Sequence, residues 1–282
     1  MNYMLKHWFN SKITKKQKTV VDFGNQWSKH GEIDTGYWSS DEMFRDHFKD
    51  QNPPFENLKD KIVLEVGSGS GRVLQMLDRY YPAKLIGVEP SSGFAVLTNN
   101  TVGLKNLTLI NASGDEFYVP GGVDLVFSLG VIHHIPEPDL VIKNISKNLK
   151  LNGLFIMWVY GYENHELYVL FQKFFRPLLR LLPDQVLNLL SLLLTYFLDF
   201  YLYVSKIVFR SKLPLTKDLS NLFSKCSRKH KKYIVFDQLN PMYAKYYKKH
   251  EAIGLVSQFG LELVSIHHRN SYSWTLITKK TY

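Results

Sequence analysis

The sequence predicts an α/β fold: a doubly wound, mostly parallel sheet with helices packed on both faces. Three observations carry that reading. From residue 61 to 160 short apolar runs alternate with helical stretches at the spacing of βαβ units. A turn with glycine at every second position, "GSGSG", joins the first run to the first helix. Near the C-terminus two further runs meet at a short turn, as a hairpin does.

In chain order, "KIVLEV" reads as the first strand and "GRVLQMLDRYY" as the helix after it. "KLIGVE" is the second strand, and "SSGFAVLTNNTVG" a helix ending near Gly103. "LTLINAS" and "GVDLVFSLGVI" supply the third and fourth strands. "DLVIKNISKNLK" is a helix and "GLFIMWVYG" the fifth strand. Beyond residue 163 the pattern turns helical, in "ELYVLFQKFFRPLLRLL" and "DQVLNLLSLLLTYFLDFYLYVSKIVF", with Pro177 and Pro183 as breakers. A basic, weakly patterned stretch follows, up to "YIVFDQLNPMYAKYY". "KKHEAIGLVSQFG" is a helix stopped by Gly260, and "LELVSIHHR" and "SYSWTLITKK" form the hairpin around Asn270.

The organisation is therefore a leader over 1–60, a ligand-binding core over 61–162, a helical cap over 163–232, and a return to the core over 233–282. At 282 residues, 45% apolar and 21% charged, the chain is long enough for one buried domain with an insertion. A single cysteine, Cys226, excludes an internal disulfide framework and fits a reducing compartment. With no apolar signal-peptide core in its first residues, the expected location is cytoplasmic. The net charge of +10 is uneven. Residues 1–19 hold five lysines and no acid, and residues 206–232 hold nine Lys/Arg against Asp218 alone, whereas 61–160 is neutral. Solvated faces account for such flanks more often than a phosphate-rich partner does.

The acids around the glycine turn decide its ligand. A P-loop is excluded because no Lys follows Gly71. In the dinucleotide fingerprint the third glycine stands where this chain has Arg72. Glu65, two residues before Gly67, would repel a pyrophosphate and attract an ammonium group. Glu89 ends the second strand about 20 residues past the turn, placed to accept ribose hydroxyls. Asp115 follows the third strand, placed to accept from an adenine amino group. Three acids at successive strand ends fit S-adenosyl-L-methionine, which has an ammonium, a ribose and an adenine but no phosphate.

Through "VLEVGSGSG", "LIGVEPS", "SGDEF" and "DLVFSLGVIHHIPEP", residues 61–160 resemble the class I S-adenosylmethionine-dependent methyltransferases. The resemblance implies a Rossmann-like, seven-stranded sheet closed by the C-terminal hairpin. It implies Glu65, Gly67, Ser68, Gly69 and Gly71 around the methionine moiety, Glu89 on the ribose and Asp115 at the adenine. Leu129 and Gly130 are implied to line the cofactor. Trp27 and Tyr37, in an aromatic leader, are implied as its cover. No metal is expected.

Histidine is the natural proton acceptor when the methyl acceptor is a hydroxyl, and His133 and His134 follow the fourth strand. Structural loop residues are the competing explanation for both, and His267 and His268, on a strand, read as core. "DQLNPMYAKYY", with Asp237, Asn240, Tyr243 and Tyr246, looks acceptor-facing. "NPPF", residues 52–55, resembles the motif of amide- and adenine-directed methyltransferases but lies far from the fourth strand. The expected function is O-methylation of a small-molecule or lipid-like acceptor, with no nucleic acid. The alternatives are a methyltransferase-like scaffold without turnover and a nicotinamide-dependent oxidoreductase.

Residues 185–205 carry one charge, Asp199, and are apolar all round, so that helix must be buried in protein, a partner or lipid. A lid over the acceptor is the economical expectation. Peripheral membrane contact through 185–232 is the alternative, and a true span is disfavoured by Asp199, Asn188 and Ser191.

Overall fold

The computed structural model describes residues 14–31, 40–48, 57–179, 182–210, 213, 216–239, 243–269 and 272–282. Seven strands form one sheet: β1 (Ile62–Val66), β2 (Lys84–Val88), β3 (Leu107–Ile110), β4 (Val123–Leu129), β5 (Leu149–Tyr160), β6 (Leu261–Arg269) and β7 (Ser273–Lys280). Their order is β3-β2-β1-β4-β5-β7-β6. The first five pair in parallel, and β7 runs antiparallel to both β5 and β6. The strand order reverses between β1 and β4, where a doubly wound sheet leaves a crevice at its carboxyl edge.

Alternation along the strands builds two cores. Leu64, Ile86, Val126 and Phe155 face α5 (Pro138–Asn148) and α10 (Lys249–Val256) on one side. Val63, Leu85, Leu125 and Ile156 face α2 (Asp41–Asp46) and α3 (Arg72–Asp78) on the other. Both sets are essentially dry, as expected of strands covered on both faces. The helix α4 (Phe94–Asn100) ends three residues earlier than the sequence suggests, capped at Thr101.

The leader contains α1 (Lys15–His30), which the sequence reading left unassigned. A reciprocal cap starts it, with Thr14 Oγ1 accepting from Gln17 N–H and the Gln17 side chain accepting from Thr14 N–H.

After β5 come α6 (Glu166–Leu179), α7 (Asp184–Ile207), α8 (Thr216–Phe223) and α9 (Arg228–Leu239). Pro183 precedes α7 as expected, whereas Pro177 lies inside the last turn of α6 and does not end it. The basic stretch expected to lack pattern is two helices, and α9 runs across residues 232 and 233 without a break. Phe223, Val235 and Leu239 form a third core with Leu190, Leu194 and Leu198 of α7. Lys231 donates to Asp199 at 2.6 Å and so neutralises the one charge within residues 185–205. The "NPPF" segment and the hairpin turn at Asn270 lie outside the described residues.

Candidate active site

The glycine turn is built on left-handed backbone. Gly67, Gly69 and Gly71 have φ of +80°, +52° and +87°, a region that L side chains rarely enter. At Gly69 a Cβ would come to 2.8 Å from Trp27 Cζ2, so the absent side chain is what lets the indole close on the turn. Gly67 and Ser68 N–H both donate to Val88 O, at 2.8 and 3.0 Å, tying the turn to the end of β2.

Three carboxylates line up along this edge. Glu65, on β1, is buried, and its Oε2 has no hydrogen-bond partner. Burial pushes its pKa from 4.5 up to about 8, against the opposing pull of the Arg72 charge and a Ser68 hydrogen bond. Glu89 accepts from Gly69 N–H at 2.9 Å on one oxygen and from Ser91 N–H at 3.0 Å on the other. The Ser91 hydroxyl donates to it as well. Asp115 accepts from Lys16 Nζ at 2.7 and 2.8 Å and from the Ser113 hydroxyl. Burial alone would raise the Asp115 pKa, but those hydrogen bonds outweigh it and hold the group below its ordinary value.

A cavity of about 660 Å³ is lined by Glu89 and Asp115 and by Val66 and Gly67, the two residues that follow Glu65. Leu129, Gly130, Trp158, Tyr160, Asp237 and Gln238 line it as well. Its roof is α1 and α9: Lys16, Val20, Phe23 and Trp27 face it from one, and Tyr233 and Asp237 from the other. Gln26 clasps the two helices, its Nε2 donating to Tyr233 Oη at 2.9 Å and Asp237 Oδ1 at 2.7 Å. The expected lid helix α7 reaches the cavity only through Asn188.

The two histidines differ. His133 is fully buried, its ring 3.8 Å from that of Tyr160. His134 lines the cavity, with Nδ1 at 2.8 Å from Tyr243 O. A carbonyl only accepts, so Nδ1 carries the hydrogen and Nε2 is the basic nitrogen of the neutral ring. Tyr160 Oη accepts from Gln238 Nε2 at 2.9 Å and lies 3.3 Å from Asp237 Oδ2. Burial holds the Tyr160 hydroxyl well above its ordinary pKa, with Asp237 adding to the effect, so it stays protonated. His268 stands apart, stacked on Trp274 at 3.9 Å.

Of the residues picked out in the sequence, the structure brings Gly67, Glu89, Asp115, Leu129, Gly130, His134 and Trp27 to the wall of this one cavity. Glu65, Ser68 and Gly69 stand directly behind that wall, and Gly71 caps α3. Tyr37 and Asn240 lie outside the described residues. Lys16, Gln26, Arg72, Tyr160, Tyr233 and Gln238 were not singled out as site residues. For α1 there was a signal: Lys16, Val20, Phe23 and Trp27 recur at helical spacing.

Comparison with known proteins bears on this arrangement. Residues 64–157 match the family described as "Methyltransferase domain". Over that stretch the chain carries a methyltransferase domain. It is similar to two proteins named tRNA U34 carboxymethyltransferase. That of Aliarcobacter butzleri is 26% identical over 117 residues, covering 40% of this chain and 38% of its own. That of Ruthia magnifica is 28% identical over 166 residues, covering 56% and 50%. The chain thus spans half or less of the length of these relatives. A solved S-adenosylmethionine-dependent methyltransferase from Aquifex aeolicus shares the fold, with a TM-score of 0.50 at 13% identity over 86% of this chain and 94% of that one. The expectation that excluded nucleic acid is overturned by the relatives, both named for a tRNA nucleoside. That expectation rested on the "NPPF" motif lying away from the fourth strand, which bears only on methylation of base amino groups, and on basic flanks being solvated faces more often than not.

Proposed function

We propose that this protein is an enzyme that transfers the methyl group of S-adenosylmethionine to a hydroxyl of a small-molecule or lipid-like acceptor. The observation that carries the cofactor assignment is Glu65: a buried carboxylate with an unpartnered oxygen, facing the Arg72 charge behind a glycine turn. Burying a carboxylate without a partner is costly, and an amino acid's ammonium group would remove that cost. Arg72 complements the carboxylate of the same amino-acid moiety. Glu89 keeps acceptor capacity for a ribose hydroxyl, since three protein donors leave part of a carboxylate's roughly four lone-pair positions open. Asp115 and Trp27 would flank the adenine end.

S-adenosylmethionine supplies an electrophilic methyl group on a sulfonium. The rest is done by the chain. Trp27 and Phe23 exclude water from above, and Tyr160, Asp237 and Gln238 orient the acceptor at the far end of the cavity. His134 Nε2 takes the acceptor's proton, its tautomer fixed by Tyr243 O. His133 positions Tyr160 through close ring contact.

A second reading is favoured by the relatives' names: an acceptor in RNA, reached from the basic side of α9. Incubation of extract with the protein and methyl-labelled cofactor, followed by fractionation, separates the two. Label in the organic-soluble or small-molecule fraction is expected. Label in the RNA fraction would favour the second reading, and bound cofactor with no label transferred would favour a binding protein without turnover.

A further inference from the structure

We propose that the outer face of α7 is a docking surface for an anionic lipid bilayer, with the helix lying in the plane of the interface. Helix α7 has two unlike faces. Leu187, Ser191, Thr195 and Ser205 are at most 2% exposed and pack inward against the cap. On the opposite side Leu189, Leu193, Tyr196, Phe200, Tyr203 and Ile207 recur at alternating steps of four and three residues, the repeat of one helical stripe. All six are 48% exposed or more, and Phe200 and Tyr203 reach 64%. Phe171 and Phe174, on the last helix before α7, are likewise exposed.

The helix is long and apolar enough to cross a membrane, yet only 17% of its 18-residue apolar stretch is buried, whereas a soluble core helix would be mostly covered. Crossing is opposed by the Lys231–Asp199 ion pair and by the inner face, which belongs to the cap core. What fits is an interfacial helix, its apolar stripe sunk to the acyl boundary and its cations at the headgroups. Charge selects the occupant. Lys206, Arg210 and Arg228 are exposed, with Arg228 set over the Tyr196 ring of the stripe, and such cations are drawn to an anionic leaflet. A second copy would bring the same cations and the same net charge of +10 against them. An anionic bilayer meets both the apolar and the charged part of the surface.

This inference does not depend on the methyl-transfer reading, since binding to lipid is measured without turnover. The test is flotation with vesicles of phosphatidylglycerol and phosphatidylcholine, beside vesicles of phosphatidylcholine alone, at low and high salt. The full chain is compared with a Phe197→Glu/Phe200→Glu variant. Both positions are more than 60% exposed, so the fold is unaffected, and melting and cofactor binding serve as controls. The expected result is flotation with anionic vesicles that weakens with salt, and a loss of about tenfold or more in the variant. Absence of binding at low salt, or flotation unchanged in the variant, would overturn the proposal. So would a dimer that the double substitution dissociates without any vesicle binding, or retention on membranes after an alkaline wash, which marks a span.

Discussion

Glu65 ends β1 with one carboxylate oxygen unpartnered in a dry environment, and its proton is the most informative one in the molecule. The folded state holds that proton up to about pH 8, whereas the unfolded chain releases it near 4.5. The stability tied to this group is therefore full below pH 4.5, declines through the window from 4.5 to about 8, and is gone above it. Glu65→Gln removes the dependence. Thermal melting without cofactor should show the variant gaining on the wild type as pH rises from 5 to about 8.5, and parallel curves would mean that Glu65 is ionised throughout. At His134 the expected effect lies in turnover: His134→Ala should lower kcat by about 10²–10⁴-fold with cofactor affinity unchanged. Normal turnover on the true acceptor would leave methyl transfer without need of this base.

At the scale of elements, α1 joins both ends of the site. Lys16 holds Asp115 at one end, Trp27 covers Gly69 in the middle, and Gln26 clasps Tyr233 and Asp237 at the other. Trp27→Ala should therefore weaken S-adenosylmethionine binding by about 1–3 kcal/mol in a calorimetric titration, through lost aromatic burial. Lys16→Ala should do less, because a pair 40% exposed on the lysine side is screened by solvent. An equal affinity in the Trp27 variant would detach the helix from the cofactor. Gln26→Leu, by contrast, should raise KM for the acceptor more than it alters cofactor affinity, since it loosens the α9 side.

The parallel strands were legible because β1, β2, β4 and β5 are mostly apolar runs followed by Gly or an acid, and buried parallel sheets leave that trace. The glycine turn and the acids Glu65, Glu89 and Asp115 were legible for the same reason: topology brings successive strand ends to one edge. What was not legible came from contacts between distant segments. Lys16 meets Asp115 across 99 residues and Gln26 meets Asp237 across 211, and no local pattern encodes such pairs. Helices α8 and α9 were missed because dense lysine and arginine hid their apolar positions, Phe223, Val235 and Leu239. Pro177 misled because, two residues from the end of α6, it removes one backbone hydrogen bond without ending the helix there.

Over the whole molecule, the sheet edge, the cavity and the helical roof make one assembly. Glu89 and Asp115 sit at the sheet edge, whereas Asp237 and Gln238 reach the acceptor side from the capping helix α9. Substitutions in the cap should thus divide from those in the core by changing acceptor KM rather than cofactor affinity. The central claim is that this cavity takes S-adenosylmethionine with its ammonium group on Glu65. The most direct measurement is a calorimetric titration of that cofactor into the wild type and Glu65→Gln between about pH 6 and 8. The account predicts wild-type affinity that climbs with pH as Glu65 gives up its proton, and binding weaker by about tenfold or more, with a flatter pH profile, in the variant. Equal affinity and equal pH dependence in the two proteins would contradict it.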